Sequence, residues 1–160
     1  MAVLTRLPHR ASPRRTMRHL GSAMAGLIAA ALAGAAAVAQ DAKLSPEERA
    51  AVCGEAAERL KDWTADHPVA PDTHPVAIWK EVFCPEALTV TAGETVLFVN
   101  LEKRTSHSVW FRADGRAESP RFFPDETFAQ PADLGAGDHD YVCGPHPWMR
   151  GRLTVEGGAK

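Results

Sequence analysis

The run Asp138-His139-Asp140-Tyr141-Val142-Cys143-Gly144-Pro145-His146-Pro147-Trp148-Met149-Arg150-Gly151 reads as a strand that ends in a cluster of soft donors. Cys143, His146 and Met149 form a C-x2-H-x2-M pattern, with a thiol, an imidazole and a thioether inside seven residues. A second imidazole, His107, follows the polar loop Glu102-Lys103-Arg104-Thr105-Ser106. Zinc sites use thiolate, imidazole and carboxylate and have little use for a thioether. A c-type haem would need C-x-x-C-H, which does not occur. Soft sulfur selects copper, and two His, one Cys and a weak axial Met make the ligand set of a blue-copper electron-transfer site. Taken singly, Met149 reads as a core filler, His107 as a satisfied strand-end histidine and Cys143 as a disulfide partner. The joint spacing is what favours one copper ion held by His107, Cys143, His146 and Met149.

Outward from this run the sequence reads as β structure. Ala77 to Phe83 is strand-like, and Leu88 to Thr91 and Thr95 to Val99 are β-branched runs around the turn signal Ala92-Gly93-Glu94. Ser108 to Arg112 reads as another strand, followed by a polar loop from Ala113 to Pro120, and Gly151 to Glu156 as a last one. Short strands at this spacing, with Gly and Pro turns, predict an all-β antiparallel sandwich. His139 reads as an exposed strand residue.

Further upstream the periodicity changes. Ser45-Pro46-Glu47-Glu48 is a helix start, with Ser45 as N-cap, Pro46 at the first helical position and Glu48 closing a capping box. Val52, Cys53, Ala56, Ala57, Leu60 and Trp63 recur at helical spacing, so the helix should fade near Thr64. The Pro-rich stretch His67 to Pro75 then reads as an extended connector. His67 and His74 in it are solvated loop histidines on this reading, because no thiol or carboxylate is grouped with them.

The first 39 residues differ in kind. They hold Arg6, Arg10, Arg14, Arg15 and Arg18 but no acidic residue, and an uncharged run from Leu20 ends in Ala37-Val38-Ala39. A basic start, an apolar centre and a small-x-small ending describe a secretory signal peptide cleaved after about Ala39. A membrane anchor is the rival reading, but Ala and Gly contribute little to insertion. Arg14-Arg15 only loosely matches a twin-arginine signal, so Sec-type export to the periplasm is expected. The full chain of 160 residues is 45% hydrophobic and 24% charged, with a net charge of −2. The leader holds five of its 18 basic side chains and none of its 20 acidic ones, so the remaining 121 residues carry −7. That balance excludes a nucleic-acid binder. One domain is expected at 77–160, behind a helical extension and connector at 40–76.

The run from Tyr141 to Gly151 resembles the ligand loop of the amicyanins, within the plastocyanin/azurin family of cupredoxins. The short spacing between His146 and Met149 is of the amicyanin type. Pro85 to Val90, Gly93 to Asn100 and His107-Ser108-Val109 resemble earlier parts of the same family, so the resemblance covers about residues 77–156. It implies a Greek-key β-sandwich of cupredoxin type with His107, Cys143 and His146 trigonal around copper and Met149 axial. It also implies an electron exit at the edge of His146, inside an apolar patch of Pro145, Pro147 and Trp148, although Trp148 could equally point into the core. Where the family has Asn after the upstream His, this chain has Ser108, whose shorter hydroxyl can replace only part of the tie between ligand loops. The extension at 40–76 has no counterpart in the resemblance.

If Cys143 binds copper, Cys53 and Cys84 remain. In an exported protein a disulfide between them is the economical reading, and two free buried thiols the alternative. The function implied is a monomeric periplasmic one-electron shuttle, not an enzyme. It would take electrons from a dehydrogenase, such as a quinoprotein amine dehydrogenase, and pass them to a c-type cytochrome. Arg150 and Arg152 could steer an acidic partner, or simply form a solvated strand face. The competing class is a periplasmic copper carrier or buffer; only Met149 lies outside the leader, which disfavours a Met-rich carrier. No H-x-H pair suggests a multicopper enzyme.

Overall fold

The computed structural model describes residues 43–157; the leader and its cleavage after Ala39 lie outside them. The described residues open on helix α1 (Pro46–Asp66). Ser45 Oγ accepts from Glu48 N–H and the Glu48 carboxylate accepts from Ser45 N–H, so the expected capping box forms and satisfies two otherwise unpaired donors. Among the described residues seven strands follow: β1 (Thr73–Trp79), β2 (Val82–Cys84), β3 (Ala87–Thr91), β4 (Thr95–Asn100), β5 (Thr127–Pro131), β6 (Gly137–Val142) and β7 (Arg150–Glu156). They form two sheets, ordered β2-β1-β4-β5 and β3-β7-β6.

The sandwich is mixed where the sequence suggested antiparallel pairing throughout. β1 runs parallel to β4, and β3 parallel to β7. Both pairs join strands that are not consecutive, so each is reached by a crossover. The run Ala77 to Phe83 is not one strand. It folds back at Lys80-Glu81, both with positive φ (49° and 58°), into a two-residue hairpin turn closed by Trp79 and Val82. β1 also starts at Thr73, inside the stretch read as connector, because its backbone pairs with Thr95 onward in β4. Ser108 to Arg112 forms no strand: Trp110 makes an isolated bridge to Val142, as His107 just before this run does to Phe122. Val109 spends its N–H on Ser119 Oγ and its carbonyl on Ser119 N–H, so no ladder continues. β5 carries no period-2 signal and ends in Pro131, which an edge strand tolerates.

Alternation along β1 and β2 explains where α1 sits. Val76, Ile78 and Phe83 enter the main core between the sheets, with Phe98, Phe111, Tyr141, Leu153 and Val155. Their neighbours Ala77, Trp79, Val82 and Cys84 face the other way and are covered by Val52 and Ala56 of α1, with Leu44, Leu60 and Leu101 packed alongside. The hairpin is therefore buried on both faces, one by the opposite sheet and one by the helix. Cys53 and Cys84 are joined by a disulfide across that second layer.

In the main core the Tyr141 ring meets Phe83, Phe98 and Phe111 at centroid distances of 5.0, 5.3 and 5.1 Å. It can fold inward because its cross-strand partner is Gly151. A Cβ at Gly151 would lie 2.3 Å from Tyr141 Cζ. Gly151→Ala must displace a ring packed on three sides, and we expect it to lower unfolding free energy by about 1–3 kcal/mol in chemical denaturation.

His139 is buried, not exposed. Its neighbours on the strand, Asp138 and Asp140, face outward, so the period-2 alternation turns His139 inward. Its Nδ1 lies 2.8 Å from Asp114 Oδ1 and its Nε2 lies 3.0 Å from the Gly135 carbonyl. Both nitrogens face acceptors, which only the imidazolium satisfies. Burial opposes the charge, but the bonds to Asp114 and Gly135 and the charges of Asp114 and Asp138 outweigh it and raise the pKa above 6.5. A raised folded pKa gives stability that is full below the unfolded value and disappears as pH climbs through the folded one. The copper-free protein should therefore lose melting temperature as pH rises above about 6.5, and Asp114→Asn should flatten that part of the slope.

Candidate metal centre

Cys143 leaves the end of β6, and the loop after it closes on itself. Met149 N–H donates to the His146 carbonyl at 2.8 Å, and Cys143 N–H donates to the Met149 carbonyl at 3.1 Å. Pro145 and Pro147 restrict φ on both sides of His146, so few conformers compete with this closure. His107 comes from the segment that bridges the end of β6 at Trp110 and Val142, and it is held by paired backbone bonds with Phe122 at 3.0 Å each. The loop before it is fixed by Asn100, a fully buried side chain that donates to the carbonyls of Thr105 and Phe122 and accepts from Glu102 N–H.

These elements bring three of the sequence-predicted donors together. His107 Nδ1 and His146 Nδ1 lie 3.7 and 3.5 Å from Cys143 Sγ. All three ligand atoms lie within 4.8 Å of one another. An ion about 2.0–2.1 Å from each nitrogen and about 2.3 Å from sulfur, with bonds near 120°, needs S···N edges of about 3.7 Å. The cluster fits one metal ion. Cys143 and His107 are fully buried and His146 is half-buried. Met149 is buried in the same core cluster as Cys143 and closes the loop through its backbone bonds with His146 and Cys143.

In the absence of metal, burial keeps all three donors uncharged. Burial, reinforced by the neighbouring His146, pushes His107 down to about 4, and burial lowers His146 as well. Both rings are thus neutral near pH 7 and offer lone pairs. Burial pushes the Cys143 thiol up, the reverse of what an activated catalytic cysteine requires.

Ser108 does more than the sequence suggested. Its N–H points at Cys143 Sγ at 3.5 Å, and its Oγ accepts from Gly144 N–H at 3.0 Å while donating to Glu118 Oε1 at 2.6 Å. The short hydroxyl ties the two ligand loops with the help of Glu118. Nothing in the polar loop from Ala113 to Pro120 distinguishes Glu118 in the sequence.

Trp148 lies between its two predicted roles. It is half-buried, its ring 5.4 Å from His146, and its Nε1 donates to Glu81 Oε2 at 3.1 Å. Lys43 reaches the same carboxylate and sits 5.1 Å over the Trp148 ring. Pro147 is exposed and Pro145 half-buried. Arg152 is paired with Asp140 at 2.7 Å, which makes it part of a solvated strand face. His67 stacks on Trp63 and His74 pairs with Glu94 at 2.9 Å, both away from the centre.

The family model described as copper binding proteins, plastocyanin/azurin family, matches residues 76–156. Amicyanin from Paracoccus versutus is 34% identical over 102 residues, covering 58% of this chain and 76% of that protein. Amicyanin-alpha from Methylorubrum extorquens is 31% identical over 85 residues, covering 51% and 70%. Among solved structures, a reduced amicyanin variant and another in its Cu(I) form each align with a TM-score of 0.51 at 32% identity, over 56% of this chain and 88% of theirs. The buried Cys143 and its two imidazoles therefore lie inside the matched span, and the chain belongs to the plastocyanin/azurin family of copper-binding proteins, as an amicyanin-like cupredoxin.

Proposed function

We propose that this protein is a periplasmic one-electron carrier and not an enzyme, with a single type 1 copper ion held by His107, Cys143 and His146 and, more weakly, by Met149. The observation that carries this reading is the convergence of one thiol and two neutral imidazoles, Nδ1 first, at a spacing that suits a three-coordinate plane. Copper bound there supplies a Cu(I)/Cu(II) couple that exchanges one electron. The chain's part is to keep the donors still. The closed loop 143–149, its two prolines and the ties at Ser108 and Asn100 leave little to rearrange between oxidation states. His146 is the one half-exposed donor, beside exposed Pro147 and half-buried Pro145 and Trp148, which supports its edge as the exit for electrons. A contact of that size suits transient redox pairing.

The partners that fit are a dehydrogenase of the quinoprotein amine class as donor and a c-type cytochrome as acceptor. Residues 1–39 act as a cleaved export signal, 40–76 as an extension and 77–160 as the cupredoxin domain of a monomer. Titration of the mature protein with Cu(II), followed in the visible, tests the reading. An intense thiolate-to-copper band that bleaches on reduction supports the carrier. Absence of the band with tight binding of Cu(I) alone would replace it with a copper buffer.

A further inference from the structure

We propose that Glu118 is a positioning residue of the metal centre, acting through Ser108 on the peptide that follows Cys143; this rests on the copper reading above. A serine hydroxyl has one hydrogen and two lone pairs. By accepting that hydrogen at 2.6 Å, Glu118 Oε1 fixes the rotor so that a lone pair faces Gly144 N–H. Donation to a carboxylate is short and strong and makes Ser108 Oγ a better acceptor in turn. The single hydroxyl therefore needs the carboxylate to hold the loop.

The loop that carries Glu118 is itself fixed. Trp110 Nε1 donates to the Arg116 carbonyl at 2.9 Å, and Ser119 exchanges two bonds with Val109. The carboxylate lies directly over Gly144, where a Cβ would come within 1.9 Å of Oε1. A side chain at that position would evict it, which gives Gly144 a function that its ordinary φ does not. Glu118 is otherwise exposed, so its carboxylate stands over Gly144, the residue next to Cys143, without being buried. Negative charge near the metal favours the more positive oxidised state, and outer groups of this kind tune metal centres.

Two measurements test this, one of them without copper. In the copper-free protein, Glu118→Ala should speed amide exchange at Gly144 about tenfold, the worth of one hydrogen bond to a charged network, while β7 amides stay protected. Ser108→Ala should do the same. Glu118→Gln keeps an acceptor and should leave Gly144 near the native rate. In the copper-loaded protein, Glu118→Gln should raise the reduction potential, and the shift should shrink as salt is added. Unchanged Gly144 exchange in Glu118→Ala, or an unchanged potential in Glu118→Gln, overturns the proposal. A purely structural role would leave the potential of the isosteric variant where it was. Glu118→Gln also carries the test if Glu118→Ala fails to fold. Should the native protein show no thiolate-to-copper band, the electron-carrier reading fails, and the exchange arm still decides the role of Glu118.

Discussion

Replacing Cys143 by serine should abolish the visible thiolate-to-copper band altogether, while Cys53→Ser should leave it at native intensity. Serine is close to isosteric, and at a fully buried position it keeps the Ser108 N–H and the two imidazoles as neighbours, so the fold should survive. What changes is the donor. A hydroxyl is a hard ligand with no low-lying charge-transfer partner for copper, and it stays protonated where a metal-bound thiol does not. The contrast with Cys53 is informative because the two sulfurs belong to different layers. Cys53 is bonded to Cys84 beneath α1, whereas Cys143 is the free cysteine at the end of β6. A band that persists in Cys143→Ser, or disappears in Cys53→Ser, would sink the ligand assignment.

The site was legible because its chemistry is local. Cys143, His146 and Met149 share one loop, and a donor set at fixed spacing is visible without knowing the fold. His107 lies 36 positions upstream of Cys143 and entered the set as the second imidazole that the donor chemistry needs, with the resemblance of His107-Ser108-Val109 to a family pattern in support. The parts that went unread are those whose partners are distant in sequence. Glu118 gains its role where its loop meets Gly144, 26 positions away in the sequence. Glu81 meets Trp148, 67 positions away.

The hairpin turn shows the same limit in backbone terms. Two-residue turns with positive φ favour Asn and Gly, and Lys80-Glu81 has neither. Tertiary contacts override the local preference. Lys80 pairs with Glu55 of α1 at 2.8 Å, Glu81 N–H donates to Glu102 at 2.8 Å, and the Glu81 carboxylate holds Trp148 and Lys43. A strained turn kept in place by so many partners fits a position that supports a functional loop. The mixed pairing was hidden for a similar reason. β-branched runs announce strands, but nothing local tells β1 that its neighbour will be β4 and parallel.

Loss of the Cys53–Cys84 bridge should be the costliest change to stability outside the metal site. The two cysteines are 31 positions apart, and closing a loop of that length in the unfolded chain is worth about 3–4 kcal/mol. The helix has little else to hold it. Only Val52 and Ala56 of α1 are fully buried, and its ion pairs, Glu55 with Lys80 and Arg49 with Glu86, are exposed or partly so and contribute little each. The stacking of Arg59 on Trp79 at 3.8 Å adds a modest term. Without the bridge α1 can leave, and Ala77, Trp79 and Val82 then lose the layer that covers them. The double variant Cys53→Ser, Cys84→Ser, measured copper-free, should melt about 10 °C or more below the native protein. Its α1 amides should exchange faster than those of β6 and β7, which belong to the other sheet. Dithiothreitol on the native copper-free protein should reproduce both changes. Reloaded with copper, the variant should recover its band at low temperature, because the ligands are braced by Asn100, Ser108 and the 143–149 loop and not by the helix. A melting temperature within about 2 °C of native would show instead that the second core layer holds α1 unaided.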